Sequence, residues 1–175
     1  MNIEELMNKR HNVLEKIGSE MQEHLIAAQL AVPEEQDAPE VLNVVLDGIG
    51  FGGEEAIGEF CFLPVSSEEA EVQYFTAVIT IADELDTERI GELFEAMSYI
   101  NFKVPAGSYS IDKDRSFLVY KLTTPLSIGL SEDALYEQVN ISMGTATAMA
   151  DLYMDLLLRI LENEITLQDV ITALN

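Results

Sequence analysis

A chain of 175 residues, 48% of them apolar, is long enough for one domain with a real core, and its 32 acidic against 9 basic residues leave a net charge of −23. That charge argues against nucleic acid and anionic membranes as partners, because both are bound through Lys and Arg. A single cysteine, Cys61, excludes an internal disulfide framework. No apolar run approaches the roughly 20 residues of a membrane span, and the charged start of the chain is unlike a signal peptide, so a cytoplasmic protein is expected.

The charge is unevenly spread. From Ile17 to Glu88 there is no Lys or Arg, while seventeen Asp and Glu occur. Lys103, Lys113, Arg115 and Lys121 cluster between Asn101 and Ser127. The acidic excess either serves solubility or forms a face that meets a basic partner or a second copy's basic hairpin.

In chain order, residues 2 to about 30 are expected as one long amphipathic helix. Ile3, Met7, Arg10, Leu14, Ile17, Met21, His24 and Ala28 fall on one stripe, and Asn2 is placed to cap it. "VPEEQDAPE", 32–40, is an acidic link. Three strands follow at 41–46, 58–65 and 71–82, the last rich in β-branched and aromatic residues. Asp86 and Thr87 are expected to open a second helix, patterned by Ile90, Leu93, Phe94, Met97 and Ile100, which Pro105 and Gly107 forbid from continuing. "SYSIDKDRSFLVYKL" reads as a hairpin turning at Lys113 and Asp114, its second strand ended by Pro125. Ser131 caps a third helix that runs to about Asn163, and "LQDVITAL" forms a short terminal one. The order α-β-β-β-α-β-β-α lacks the alternation of a parallel sheet. It predicts a single α+β domain over 1–175, with an antiparallel sheet covered on one face by helices.

"VVLDGIGFGGEE", 44–55, contains G-x-G-x-x-G after a strand, the fingerprint of a dinucleotide loop. Such a loop must feed a helix whose N-terminus holds the pyrophosphate. Here only "EEAIGEF" precedes the next strand, too short for a crossover, and Glu54 and Glu55 stand where phosphate charge would sit. The glycines are expected at positive φ in a strand-to-strand connection.

No catalytic constellation stands out. His11 and His24 lie on the first helix, about 20 Å apart, and cannot share a metal within one chain. His24 reads as a packing or interface residue, and Cys61 as an inert buried thiol. Asp83, Glu84 and Asp86 carry oxygen ligands but fit no EF-hand. Gly144, Ala146, Ala148 and Ala150 let another backbone approach, from the sheet or a second helix. The third helix is apolar nearly all round beyond Tyr153, so one side is expected in a subunit interface. Leu14, Ile17 and Met21 on the first helix, with Tyr153, Leu157 and Ile160 on the third, are the candidate interface residues of a homodimer.

From about Thr87 to Asn163 the chain resembles the YbjN family of bacterial proteins, often labelled sensory transduction regulators and similar in fold to type III secretion chaperones. The matching features are Asn101 at a helix end, Gly107 and Tyr109 leading a strand into an Asp-rich turn, and a second strand running into "LSEDAL" and a helix. The long N-terminal helix and "GIGFGG" are departures. The resemblance implies a non-enzymatic, acidic, homodimeric α+β protein without a cofactor. Its partner would be a client polypeptide, held along sheet edges and apolar patches. The alternative is a small-molecule or metal-ion sensor using the acidic cluster 83–88 or the glycine loop.

Overall fold

The first helix begins where its capping residues dictate. Asn2 accepts the N–H of Glu5 at 2.7 Å and Glu5 accepts the N–H of Asn2 at 3.1 Å, a closed capping box. The computed structural model describes residues 2–33, 38–50, 52–64, 70–85 and 88–175. In chain order its elements are α1 (Ile3–Glu23), β1 (Ala28–Ala31), β2 (Val41–Ile49), β3 (Glu54–Phe62), β4 (Val72–Ala82), α2 (Ile90–Lys103), β5 (Ser108–Asp112), β6 (Phe117–Ser127), α3 (Glu132–Leu161) and α4 (Leu167–Ala173). The strands form an antiparallel sheet in the order β1-β2-β3-β4-β6-β5, flanked by helices. This is the α+β class read from the sequence, with one strand more.

That strand corrects the expected helix over 2–30. α1 stops at Glu23 because Leu25 turns left-handed (φ 63°). Its N–H reaches the Gln22 carbonyl and the Ile26 N–H reaches Met21, a Schellman closure. The uncharged run 26–32 fits helix or strand by composition. Pairing with β2, from Ala28 opposite Val44 to Ala31 opposite Val41, decides for strand. His24, expected as a packing or interface residue, does not pack within the chain and is the exposed cap of α1.

β6 also overruns its predicted end and continues through Pro125 to Ser127. The Ile128 N–H bonds the Glu71 carbonyl at 3.1 Å, so alternate residues 126 and 124 face β4, and Pro125 lies between them with its nitrogen turned away. β5 pairs only with Phe117–Lys121, so no ladder bond is lost at the proline. Asp86 and Thr87, the expected opening of α2, lie outside the described residues, as do parts of the links at 34–37 and 65–69.

The chain gathers into two compact units that divide β2, β3, β4, β6 and α3 between them. The first comprises Met1–Leu46, Ile57–Ala77 and Thr123–Thr145. Its core is Leu6, Val13, Leu14 and Ile17 of α1 with Leu42, Val44, Phe60, Phe62 and Phe75 of the sheet and Leu135 and Val139 of α3. α1 and α3 run beside each other here: Asn12 donates to Glu132 at 3.2 Å, and Lys16 lies 4.0 Å over the Tyr136 ring. Arg10 of α1 reaches Gln73 and Phe62, which sets the helices on the sheet face that carries Phe60, Phe62, Gln73 and Phe75. The other face leaves Ile57, Val72 and Tyr74 exposed.

The second unit comprises Asp47–Ala56, Val78–Leu122 and Ala146–Asn175. Leu93, Met97 and Ile100 of α2, Tyr109, Leu118 and Tyr120 of the β5–β6 hairpin, and Met154, Leu157 and Ile160 of α3 are buried in it. The hairpin turns where predicted: Asp112 Oδ1 accepts the N–H groups of Asp114 and Arg115 at 3.1 and 3.2 Å.

Candidate functional site

β1 is an edge strand, and the hydrogen bonds say which of its groups are free. The Val45 N–H bonds the Ala27 carbonyl at 2.9 Å. With the observed register, the backbone groups of Ala27, Gln29 and Ala31 therefore face β2, and those of Ala28 and Leu30 face outward. Gln22 of α1 confirms this, donating its side-chain amide to the Ala28 carbonyl at 2.6 Å from the open side. Among the described residues nothing pairs with the outward N–H and C=O of Leu30.

Beside this edge, on the uncovered sheet face, lies a groove of about 630 Å³ lined by Gln22, Ala27, Gln29, Asn43, Val45 and Ile57 among others. None of the residues that line it carries a charge. Edge strands are normally blunted with Lys, Pro or a bulge. Here Ile26 to Val32 reads Ile-Ala-Ala-Gln-Leu-Ala-Val, and Leu25 beside it is 95% exposed.

The unit around the groove is strongly anionic, with sixteen Asp and Glu against three Lys and Arg. Each of the three cations is committed within the chain. Lys9 donates to the carbonyls of Ile128 and Leu130 at 3.0 and 2.8 Å; burial lowers its pKa, and Glu132 opposes that. Arg10 is buried, its Nε on Gln73 at 2.9 Å, its Nη1 on the Leu63 carbonyl at 3.2 Å and its plane 5.0 Å from the Phe62 ring. Desolvation lowers its pKa to about 10. Lys16 rests on Tyr136.

The second unit treats its own edge differently. Asn101 at the end of α2 pairs with Tyr109 of β5 as a strand would, accepting its N–H at 2.8 Å and donating to its carbonyl at 3.0 Å. This occupies the outward groups of β5 at that residue. The same unit has a groove of about 350 Å³ between α2 and α4, lined by Tyr99, Phe102, Lys103, Ile171 and Leu174 among others, with Phe102 88% exposed.

The glycine loop holds an anion from its own chain. Gly48, Gly50 and Gly53 all adopt positive φ, as expected. The Gly50 N–H donates to Asp151 Oδ1 of α3 at 2.5 Å, and a Cβ on Gly50 would lie 2.8 Å from Asp155 Oδ1. Two carboxylates therefore stand where a nucleotide phosphate would have to come.

Of the candidate interface residues, Leu14, Ile17, Leu157 and Ile160 are buried within the chain itself; Met21 and Tyr153 keep partial exposure. Of the first-helix stripe, Arg10, Leu14 and Ile17 are used inside the first unit, whereas Ile3 and Met7 are exposed. Of the small residues on α3, Ala146 and Ala150 are buried as expected, whereas Gly144 and Ala148 are exposed. Cys61, expected to be buried, is only half-buried. Among the described residues no group of three or more His, Cys, Asp and Glu could hold a metal ion, and no helix is long and apolar enough to cross a membrane. The β1 edge and its groove went unread in the sequence. Their signal was an uncharged run, 26–32, inside a long acidic stretch.

The molecule is thus an α+β protein with an antiparallel sheet flanked by helices; among the described residues of its first unit, Ile57, Val72 and Tyr74 on one sheet face and the outer side of β1 are left exposed. No protein family matches the chain, and no curated protein is similar to it in sequence. Among solved structures there is a distant, fold-level likeness to YbjN of E. coli, a candidate transcription regulator, with 13% identity over 82% of this chain and 91% of that one and a TM-score of 0.42. An uncharacterized protein from Methanothermobacter thermautotrophicus is similar at 12% identity over 86% of this chain and 97% of that one, with a TM-score of 0.44.

Proposed function

We propose that this protein is a non-enzymatic, protein-binding regulator of the YbjN-like, secretion chaperone-like kind. It holds a partner polypeptide through sheet edge and apolar helix surface. The observation that carries this reading is the outer edge of β1, where the Leu30 backbone has no pairing partner among the described residues, beside an uncharged groove. An extended segment adding to such an edge gains backbone hydrogen bonds for affinity and side-chain contacts in the groove for specificity. The α2–α4 groove with Phe102 and Tyr99 is the corresponding helix surface. In this reading the protein works as a cytoplasmic homodimer, with Met21 and Tyr153 the expected interface residues that keep accessible surface.

Immobilised protein should enrich a discrete polypeptide from its native lysate at both low and moderate salt. Failure to enrich any at either salt counts against the proposal. A second reading, a small-molecule sensor, is favoured by the groove volume, which falls in the range of ligand sites. A thermal-shift screen separates the two, since a ligand that binds only the native state raises the melting temperature.

A further inference from the structure

Resting on that reading, we infer that the occupant of the β1 edge is a cationic extended segment. It pairs with Leu30 as an added strand, places alternate apolar side chains in the groove and carries Lys or Arg between them.

Three observations lead there. The outward groups of β1 alternate, Ala28 and Leu30, so a partner strand must bond at every second residue, as an added strand does. The groove beside it is uncharged and partly apolar, through Ala27, Val45 and Ile57, which suits apolar side chains on one face of that segment. The surrounding unit carries sixteen acidic residues and three basic ones, each of the latter already engaged, so its outward field is negative and favours a positive partner. The same field disfavours a second copy on this edge, because like charge would be brought against like. Gln22 is the movable element: its amide already takes the place of a partner's N–H at Ala28 and is displaced when a real strand arrives.

The test uses the full chain and fluorescein-labelled peptides of about eight residues. A peptide alternating valine and lysine should bind, and its affinity should fall with salt. A valine–glutamate peptide should bind at least about tenfold more weakly. A peptide with the lysine content of the first but proline in place of valine should lose binding, because it has too few N–H donors to pair.

Leu30→Pro should weaken the valine–lysine peptide by about tenfold or more while the fold survives, since the Leu30 N–H points away from β2. Ala31→Lys, at an exposed position on the same sheet face as Gln29, should weaken the valine–lysine peptide and strengthen the valine–glutamate one. It carries the test if Leu30→Pro does not fold. Equal binding of all three peptides, or binding indifferent to both variants, overturns the inference. A dimer by light scattering that Leu30→Pro dissolves puts a second copy on the edge and overturns it too. A natural partner captured equally by wild type and Leu30→Pro leaves the protein-binding reading standing while this one falls.

Discussion

The hydroxyl of Tyr109 sits inside the backbone ladder of α3. It accepts the Tyr153 N–H at 3.1 Å and donates toward the carbonyls of Met149 and Ala150, each at 2.8 Å. A side chain has entered an i to i+4 position of the helix, the Met149 carbonyl and the Tyr153 N–H both being served by one phenol. Asn101 holds the backbone of the same tyrosine, so the end of α2, the strand β5 and the middle of α3 meet on one residue. Tyr109→Phe should cost about 1 to 3 kcal/mol, the range for buried partners left unpaired. Urea denaturation of the two proteins checks this, and no change in midpoint would show that the ladder closes by itself.

Gly107 precedes that strand with a φ of 70°, and a Cβ there would lie 2.2 Å from the Tyr120 hydroxyl and 2.7 Å from the Lys121 carbonyl. The Tyr120 hydroxyl itself donates to the Ala106 carbonyl. Gly107→Ala combines left-handed strain with overpacking and should destabilise by about 2 to 5 kcal/mol. A thermal midpoint close to wild type would refute the crowding.

Two exposed positions should move stability upward. Leu25 is left-handed and nearly fully exposed, so Leu25→Gly removes strain and loses no packing; a gain of about 1 kcal/mol is expected. Gly144 lies inside α3 with open space around its Cβ position, and Gly144→Ala should add about 0.5 to 1 kcal/mol. For a chain of this size each kcal/mol corresponds to about 2 to 4 °C in melting temperature. Calorimetry on each variant alone decides it.

Alkaline pH should expose the buried phenols. Burial pushes Tyr120 up to about 12 and raises Tyr109 further, the latter opposed by the Tyr153 N–H. The fold favours the neutral phenol, so this contribution is complete below the unfolded value of about 10. It is lost as pH rises from there toward the folded value. The unfolding free energy from urea denaturation should therefore fall between about pH 10 and pH 12, by an amount on the order of 2 to 3 kcal/mol for Tyr120. Tyr120→Phe, with no phenol to ionise there, should show a smaller fall across the same window. An equal fall would assign the loss to other groups.

The glycine loop should ignore nucleotides. Asp151 occupies the Gly50 N–H, and Gly50→Ala should cost about 1 to 3 kcal/mol through left-handed strain and the nearby Asp155 oxygen. Neither a dinucleotide nor inorganic phosphate should raise the melting temperature. A saturable rise with either would mean that the aspartate yields to a phosphate.

What the sequence determined by itself is local. Asn2 with Glu5, and Thr166 with Asp169, close capping boxes because both partners lie within one turn. The glycines at 48, 50 and 53 take positive φ because that conformation is easy only without a Cβ. Arg10 was visible as a charge on an apolar stripe, and it is buried. The strand β1 and the passage of β6 through Pro125 were decided by tertiary structure. Each depends on a partner far along the chain: Val44 for Ala28, or β4 on the side opposite the proline nitrogen. The open edge at Leu30 belongs with them. The uncharged run 26–32 marks the segment, but an edge is defined by which neighbour is absent, and only the strand pairing shows which side is open.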